Sequence, residues 1–170
     1  KSTGPGEYRG LRTDGSTFDI DVNAEFISDD SGAPAEILFM VRDVSERSEA
    51  REALQRSNDL LRSIIETAPA RIFWKDKDLR YLGCNTEFAR DAGVISPADV
   101  VGRTDLEMPW KEQAEQYRAD DRAVMESGLP KMDYEEPQTS PSGETFWLGT
   151  SKVPLRDEAG AVVGILGIYQ

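Results

Sequence analysis

The sequence predicts an α+β fold in which the tail of one module (1–44) and a connector helix (45–67) precede a second, nearly complete copy of that module (68–170). Three observations lead there. The chain matches itself at a constant offset of 128 residues. A stretch rich in Glu, Arg, Leu and Ala, free of Gly and Pro, separates the two copies. Beyond it the pattern runs strand, turn, strand, several short helices, then three strands.

The repeat pairs Gly15 with Gly143, Thr17 with Thr145 and Phe18 with Phe146, then Asp29 with Asp157, Gly32 with Gly160, Ala33 with Ala161, Ile37 with Ile165 and Leu38 with Leu166. It needs no gap. Each copy reads as a hairpin: a strand from about Phe18 to Ile27, or Phe146 to Leu155, a turn, then an apolar strand. In the second copy the turn is Asp157 to Gly160, where glycine supplies a positive φ without steric cost. The strand after it, Val162 to Tyr169, alternates little, as expected of a strand covered on both faces. The first copy continues through Asp43, Val44, Ser45, Glu46 and Arg47 into a helical segment, whereas the second stops opposite Arg42. The chain is therefore expected to start inside one module and to stop just before a further connector.

From Ser45 to Thr67 one long helix is expected. Val44, Arg47, Arg51, Leu54, Asn58, Leu61, Ile65 and Ala68 fall on one heptad-like stripe. Two readings stay open: an amphipathic helix packed on its own domain, or a parallel coiled coil joining two subunits, with Asn58 as a register-setting polar residue. After it, Ala70 to Lys75 and Tyr81 to Asn85 flank the Asp76 to Leu79 turn as a hairpin. Helical stretches follow at Thr86 to Ala92, Pro97 to Val101, Thr104 to Met108 and Trp110 to Ser127, the last ended by Gly128. Strands complete the module at Lys131 to Glu136, Glu144 to Leu155 and Val162 to Tyr169.

Composition excludes several classes. With 38% hydrophobic and 31% charged residues the chain has material for a core and is not expected to be disordered. The net charge of -12 repels phosphate backbones and anionic head groups, so neither nucleic acid nor membrane contact is expected. One cysteine, Cys84, forms no internal disulfide and reads as a small buried hydrophobe. No apolar run is long enough to span a bilayer, and a cytoplasmic location is expected, with room for a membrane anchor elsewhere in a parent protein. The chain has no histidine, no nucleophile motif and no phosphate loop, so intrinsic catalysis is not expected. Asp120 with Asp121 and Glu135 with Glu136 are adjacent pairs whose members diverge on a helix or a strand, so neither makes a metal-ligand cluster.

Four segments resemble the PAS family: IFWKDKDLRYLGCNTEFARDAG its opening hairpin and first helix, VVGRTDLEMPW the stretch before its long helix, SGETFWLGTSKVPLRDEAGAVVGILGIY its last two strands, the PAC segment, and DVSER the word joining PAS domains to output helices. The resemblance implies a five-stranded antiparallel sheet with helices on one face, enclosing a small pocket. It covers 68–170 as a nearly complete domain and the opening residues as a truncated one. Carried over by position, the pocket is bounded by Trp74, Phe88, Trp110 and Trp147, each of which also suits a plain core. Asn85, Asp105 and Lys152 are the polar candidates, since an inward carboxylate or ammonium requires a partner; for Lys152, exposure to solvent is the expected fate.

The family's cofactors narrow by elimination. A His-ligated haem lacks its ligand. A LOV-type flavin adduct requires a cysteine in a G-x-N-C-R-F-L-Q word, where Gly102, Arg103, Thr104, Asp105 place aspartate. The cofactor stays unknown. The resemblance implies a sensor of a bacterial or archaeal signalling protein, a histidine kinase or a diguanylate cyclase with its GGDEF domain, homodimeric through the connector helix and PAS surfaces. A small molecule binding in the second module would shift the connector helices between two arrangements. The alternative is a structural dimerisation and spacer module without ligand. A cavity of fragment size with converging polar groups favours sensing, and a packed interior the spacer.

Overall fold

The computed structural model describes residues 3–32 and 34–170, so Ala33 of the repeat lies outside the described residues. It divides into two compact units, residues 1–61 and 62–170.

The first unit holds three antiparallel strands, β1 (Thr3–Leu11), β2 (Thr17–Ser28) and β3 (Pro34–Asp43), in that order. A hairpin was expected, and β1 is additional. Its glycines and lack of alternation give no strand signal, yet Gly10 sits opposite Phe18, whose ring covers it. The helix α1 (Ser45–Thr67) begins where the Asp43 carboxylate accepts the Ser45 N–H at 3.0 Å and a hydrogen bond from Arg12 at 3.1 Å. None of its residues is buried, and Leu54 is 63% exposed.

The second unit contains β4 (Arg71–Asp76), β5 (Tyr81–Cys84), α2 (Thr86–Asp91), short 3-10 turns at Pro97–Asp99 and Asp105–Glu107, α3 (Ala114–Ser127), β6 (Lys131–Thr139), β7 (Thr145–Arg156) and β8 (Val162–Tyr169). All five strands are antiparallel in the order β5-β4-β8-β7-β6. The bounds of β6 and β7 are those of β1 and β2 shifted by the repeat offset, and the turn glycines keep their geometry, φ 87° at Gly15 against 85° at Gly143 and 84° at Gly32 against 83° at Gly160. The repeat is thus a repeat of structure.

Two expectations need correction. Helix α3 starts at Ala114 rather than Trp110, because residues 110–113 form turns closed by Gln113 N–H to the Trp110 carbonyl. Strand β8 is fully covered on one face only: Ile165, Gly167 and Tyr169 point into the core, while on the other face Val162 and Leu166 are half-buried and Ile168 is exposed. Its glycines mark close approaches instead. The Phe73 ring lies on Gly167, and a Cβ on Gly164 would run into the Lys75 carbonyl oxygen.

Inward positions alternate along each strand. Phe73 and Lys75 come from β4, Glu136 and Gln138 from β6, Leu148, Thr150 and Lys152 from β7, and all are buried. Gly164→Ala is expected to destabilise the second unit by about 1–3 kcal/mol through overpacking against β4, read as a lower urea midpoint; an unchanged midpoint contradicts the close approach.

Candidate functional site

The inward faces of β4, β6 and β7 meet α3 and the 105–107 turn around a buried charge cluster. Lys75, 1% exposed, donates to Asp105 Oδ1 at 2.9 Å, to Asp105 Oδ2 at 2.7 Å and to Asp121 Oδ2 at 2.7 Å. Lys152, also 1% exposed, lies 2.7 Å from Asp121 Oδ1 as an ion pair, 3.9 Å from Glu136 Oε2, and donates to the Tyr117 carbonyl at 3.3 Å. The Tyr81 hydroxyl donates to Asp105 at 2.7 Å. Buried charge is tolerated only when paired in this way.

The titrations follow the same balance. Burial would raise the Asp121 carboxyl, but the ammonium groups of Lys75 and Lys152 outweigh it and hold the group below its ordinary value. For Lys152 burial pulls downward, and Asp121 with Glu136 reverses it, so its ammonium is held above the ordinary value. Burial, then the Asp105 charge, pushes the Tyr81 hydroxyl well up. Cys84, buried and near Glu66, is pushed up to about 12, which keeps it a neutral thiol.

Beside the cluster is a cavity of about 20 Å³, room for a single water. Its wall is aromatic, from Phe73, Tyr81, Phe88, Trp110, Tyr117 and Tyr169, with Lys75, Asp105, Glu136, Gln138 and Lys152 as the polar lining. Phe88 packs against four of these rings, among them Phe73 at 5.0 Å and Trp110 edge-on at 5.4 Å.

Residues 65–170 match the PAS fold family, and residues 1–46 match a second PAS domain family. The chain belongs to the PAS family. Over 139 residues, 79% of its length, it is 31% identical to the methanogenesis regulatory histidine kinase FilI of Methanothrix harundinacea, of which it spans only 15%. Among solved structures, VqmA bound to DPO is 26% identical with a TM-score of 0.59, over 64% of this chain and 55% of that one. VqmA of Vibrio cholerae also appears as a dimer with the same identity and score, over 64% of this chain and 49% of that one. The PAS domain of an HTR-like protein from Haloarcula marismortui, at 21% identity and a TM-score of 0.52 over 74% of this chain and 98% of that one, shares the fold.

Of the residues singled out in sequence, the PAS cavity gathers Phe88, Asp105, Trp110 and Lys152. The expected exposure of Lys152 is corrected, because an even position on β7 faces inward where Asp121 pairs with it. Trp74 and Trp147 do not reach the cavity. Trp74 covers Gly83 on the other face of the sheet, and Trp147, 69% exposed, sits at an odd position of β7 facing solvent. Asn85 is buried but spends its amide on the backbone, accepting from Ile72 and Phe88 N–H and donating to the carbonyls of Ile65 and Ala70. It joins the end of α1 to β4 and α2.

Sequence reasoning missed Lys75, Asp121, Glu136 and Gln138. Strand alternation places Lys75 two residues after the core residue Phe73, and that parity was the available signal. Asp121 and Glu136 each diverge from their acidic neighbours, Asp120 and Glu135, as adjacent positions must.

Removing one partner of this cluster strands the others. Lys75→Met is expected to cost about 3–5 kcal/mol, measured by urea unfolding; a loss below 1 kcal/mol would show that the cluster is solvated. A second expectation concerns pH. The depressed Asp121 contributes stability above the ordinary carboxylate range that is lost as pH falls through its folded value, and the raised Lys152 contributes stability below the ordinary ammonium range that is lost as pH rises through its own. The thermal midpoint should be level from about pH 5 to about pH 9 and fall on both sides; a steady slope across that window contradicts it.

Proposed function

We propose that the second PAS domain is the sensory module of a signal-transduction protein and binds a small molecule in the cavity beside the Lys75, Asp105, Asp121, Lys152 and Glu136 cluster. The convergence of four of these charged side chains, Lys75, Asp105, Glu136 and Lys152, on a hollow, with Asp121 pairing both lysines behind it, carries the reading, since a core needed only for stability is cheaper to fill with apolar groups. VqmA, which shares the fold at 26% identity, is described bound to DPO, and that supports a ligand here.

Binding would act through Phe88. A ligand displacing this ring moves α2, whose first turn is capped by Asn85, and the same amide holds the Ile65 carbonyl of α1. The ligand biases α1 by its differential affinity for two arrangements of these elements. The resemblance to FilI supports a histidine kinase output over a diguanylate cyclase. Residues 1–44 are read as the closing strands of a truncated PAS domain, 45–67 as the connector and 68–170 as the sensor. The exposed Leu54 and Leu61 of α1 support a homodimer through the connector. The piece itself relays rather than catalyses, in a cytoplasmic setting. Among the described residues no helix is long and apolar enough to cross a membrane. Although VqmA is described with DNA, the net charge of -12 argues against such contact by this segment.

The spacer reading has one observation in its favour: the cavity has the volume of a water rather than of a fragment. Native mass spectrometry of the protein purified from its own host separates the two. A dimer carrying a small-molecule adduct that is released on unfolding is expected, and Leu54→Glu with Leu61→Glu should leave monomer. A stoichiometrically ligand-free protein from cells grown under varied conditions supports the spacer, and a dimer surviving both substitutions removes the coiled coil.

A further inference from the structure

The buried charges do not balance. Lys75 and Lys152 face Asp105, Asp121 and Glu136, which leaves one negative charge in excess in a region almost closed to solvent. Asp105 and Asp121 each have ammonium contacts at 2.7 Å. Glu136 does not. Its nearest ammonium is Lys152 at 3.9 Å, and its hydrogen bond from the Tyr134 hydroxyl is long at 3.3 Å, although only 5% of the residue is exposed. A buried carboxylate with only these two long contacts, on the wall of a cavity, is an acceptor suited to a further positive charge.

The lysines offer no matching site for an anion. Lys75 directs its ammonium to both oxygens of Asp105 and one of Asp121, and Lys152 is engaged by Asp121 and the Tyr117 carbonyl. The aromatic wall already accommodates cations: Lys75 Nζ lies 4.7 Å from the Tyr81 ring centroid and Lys152 Nζ 5.5 Å from that of Tyr117. Phe88, Trp110 and Tyr169 are further rings on the same cavity, and tryptophan offers the strongest cation–π face.

We propose that this cavity selects a compact organic monocation, ammonium or a small alkylammonium, with Glu136 as its counter-ion. This deepens the sensory reading above and rests on it. The volume of about 20 Å³, room for a single water, admits ammonium without rearrangement and an alkylammonium only where a lining ring gives way. Its N–H groups donate to Glu136, its charge neutralises the cluster, and any methyl group meets the aromatic rings.

The test uses the 170-residue chain and its thermal midpoint in ammonium and methylammonium chloride, against sodium and potassium chloride at equal ionic strength, and against sodium acetate and acetamide. A saturable rise with ammonium or methylammonium is expected, with apparent affinity at least tenfold weaker in Glu136→Gln. Sodium or potassium giving the same rise overturns the proposal, as does Glu136→Gln titrating like the wild type. Should that variant fail to fold, the comparison of methylammonium with neutral acetamide in the wild type decides alone. A larger effect from acetamide or acetate overturns the cation assignment and leaves a sensory pocket standing. No effect from any compound also overturns it, and the ligand extraction described above then judges the sensory reading separately.

Discussion

Two ammonium groups and three carboxylates inside one small domain dictate how residues 62–170 assemble. Each charge is tolerable only with its partner in place. Lys75 comes from β4, Lys152 from β7, Glu136 from β6, Asp121 from α3 and Asp105 from the 105–107 turn. Leaving out β4, β7 or α3 strands a charge contributed by another element: Asp105 loses Lys75, Glu136 loses Lys152, or Lys152 loses Asp121. Hydrophobic contacts tolerate a slipped neighbour, whereas this network does not. It fixes where α3 lies against the sheet, and with it the wall of the cavity.

The fold was legible because its signals are local. The bare Glu- and Arg-rich run between Ser45 and Thr67 became a helix with those bounds, and Gly128 ended α3 in the left-handed conformation that favours glycine. Strand β1 was hidden because glycine-rich sequence acquires strand geometry only from its neighbour β2. The site was half legible for a related reason. Asp105 and Lys152 were marked out because a buried charge demands a partner, but the partners Lys75 and Asp121 are 46 residues apart in sequence and met only through tertiary packing. Aromatic residues misled where size was taken for inward direction. Trp147 has the bulk of a core residue and the wrong strand parity for one.

The two copies share a scaffold and not a chemistry. Moving the cavity residues of β6, β7 and β8 back by the repeat offset puts Tyr8 where Glu136 stands, Gly10 for Gln138, Ala24 for Lys152 and Val41 for Tyr169. None of these carries charge at neutral pH. Turns, strand lengths and glycine geometry are thus shared between the copies, while the charges of Glu136 and Lys152 belong to one of them. Membership of the PAS family therefore speaks to the scaffold, and the ligand has to be reasoned from the residues added to it.

The uneven placement of the tryptophans makes the domain optically self-reporting. Trp110 is sealed in the wall of the cavity while Trp147 stands in solvent. Their emission should differ in colour and in access to aqueous quenchers, so replacing Trp74 and Trp147 with phenylalanine would leave a single tryptophan, in the cavity wall.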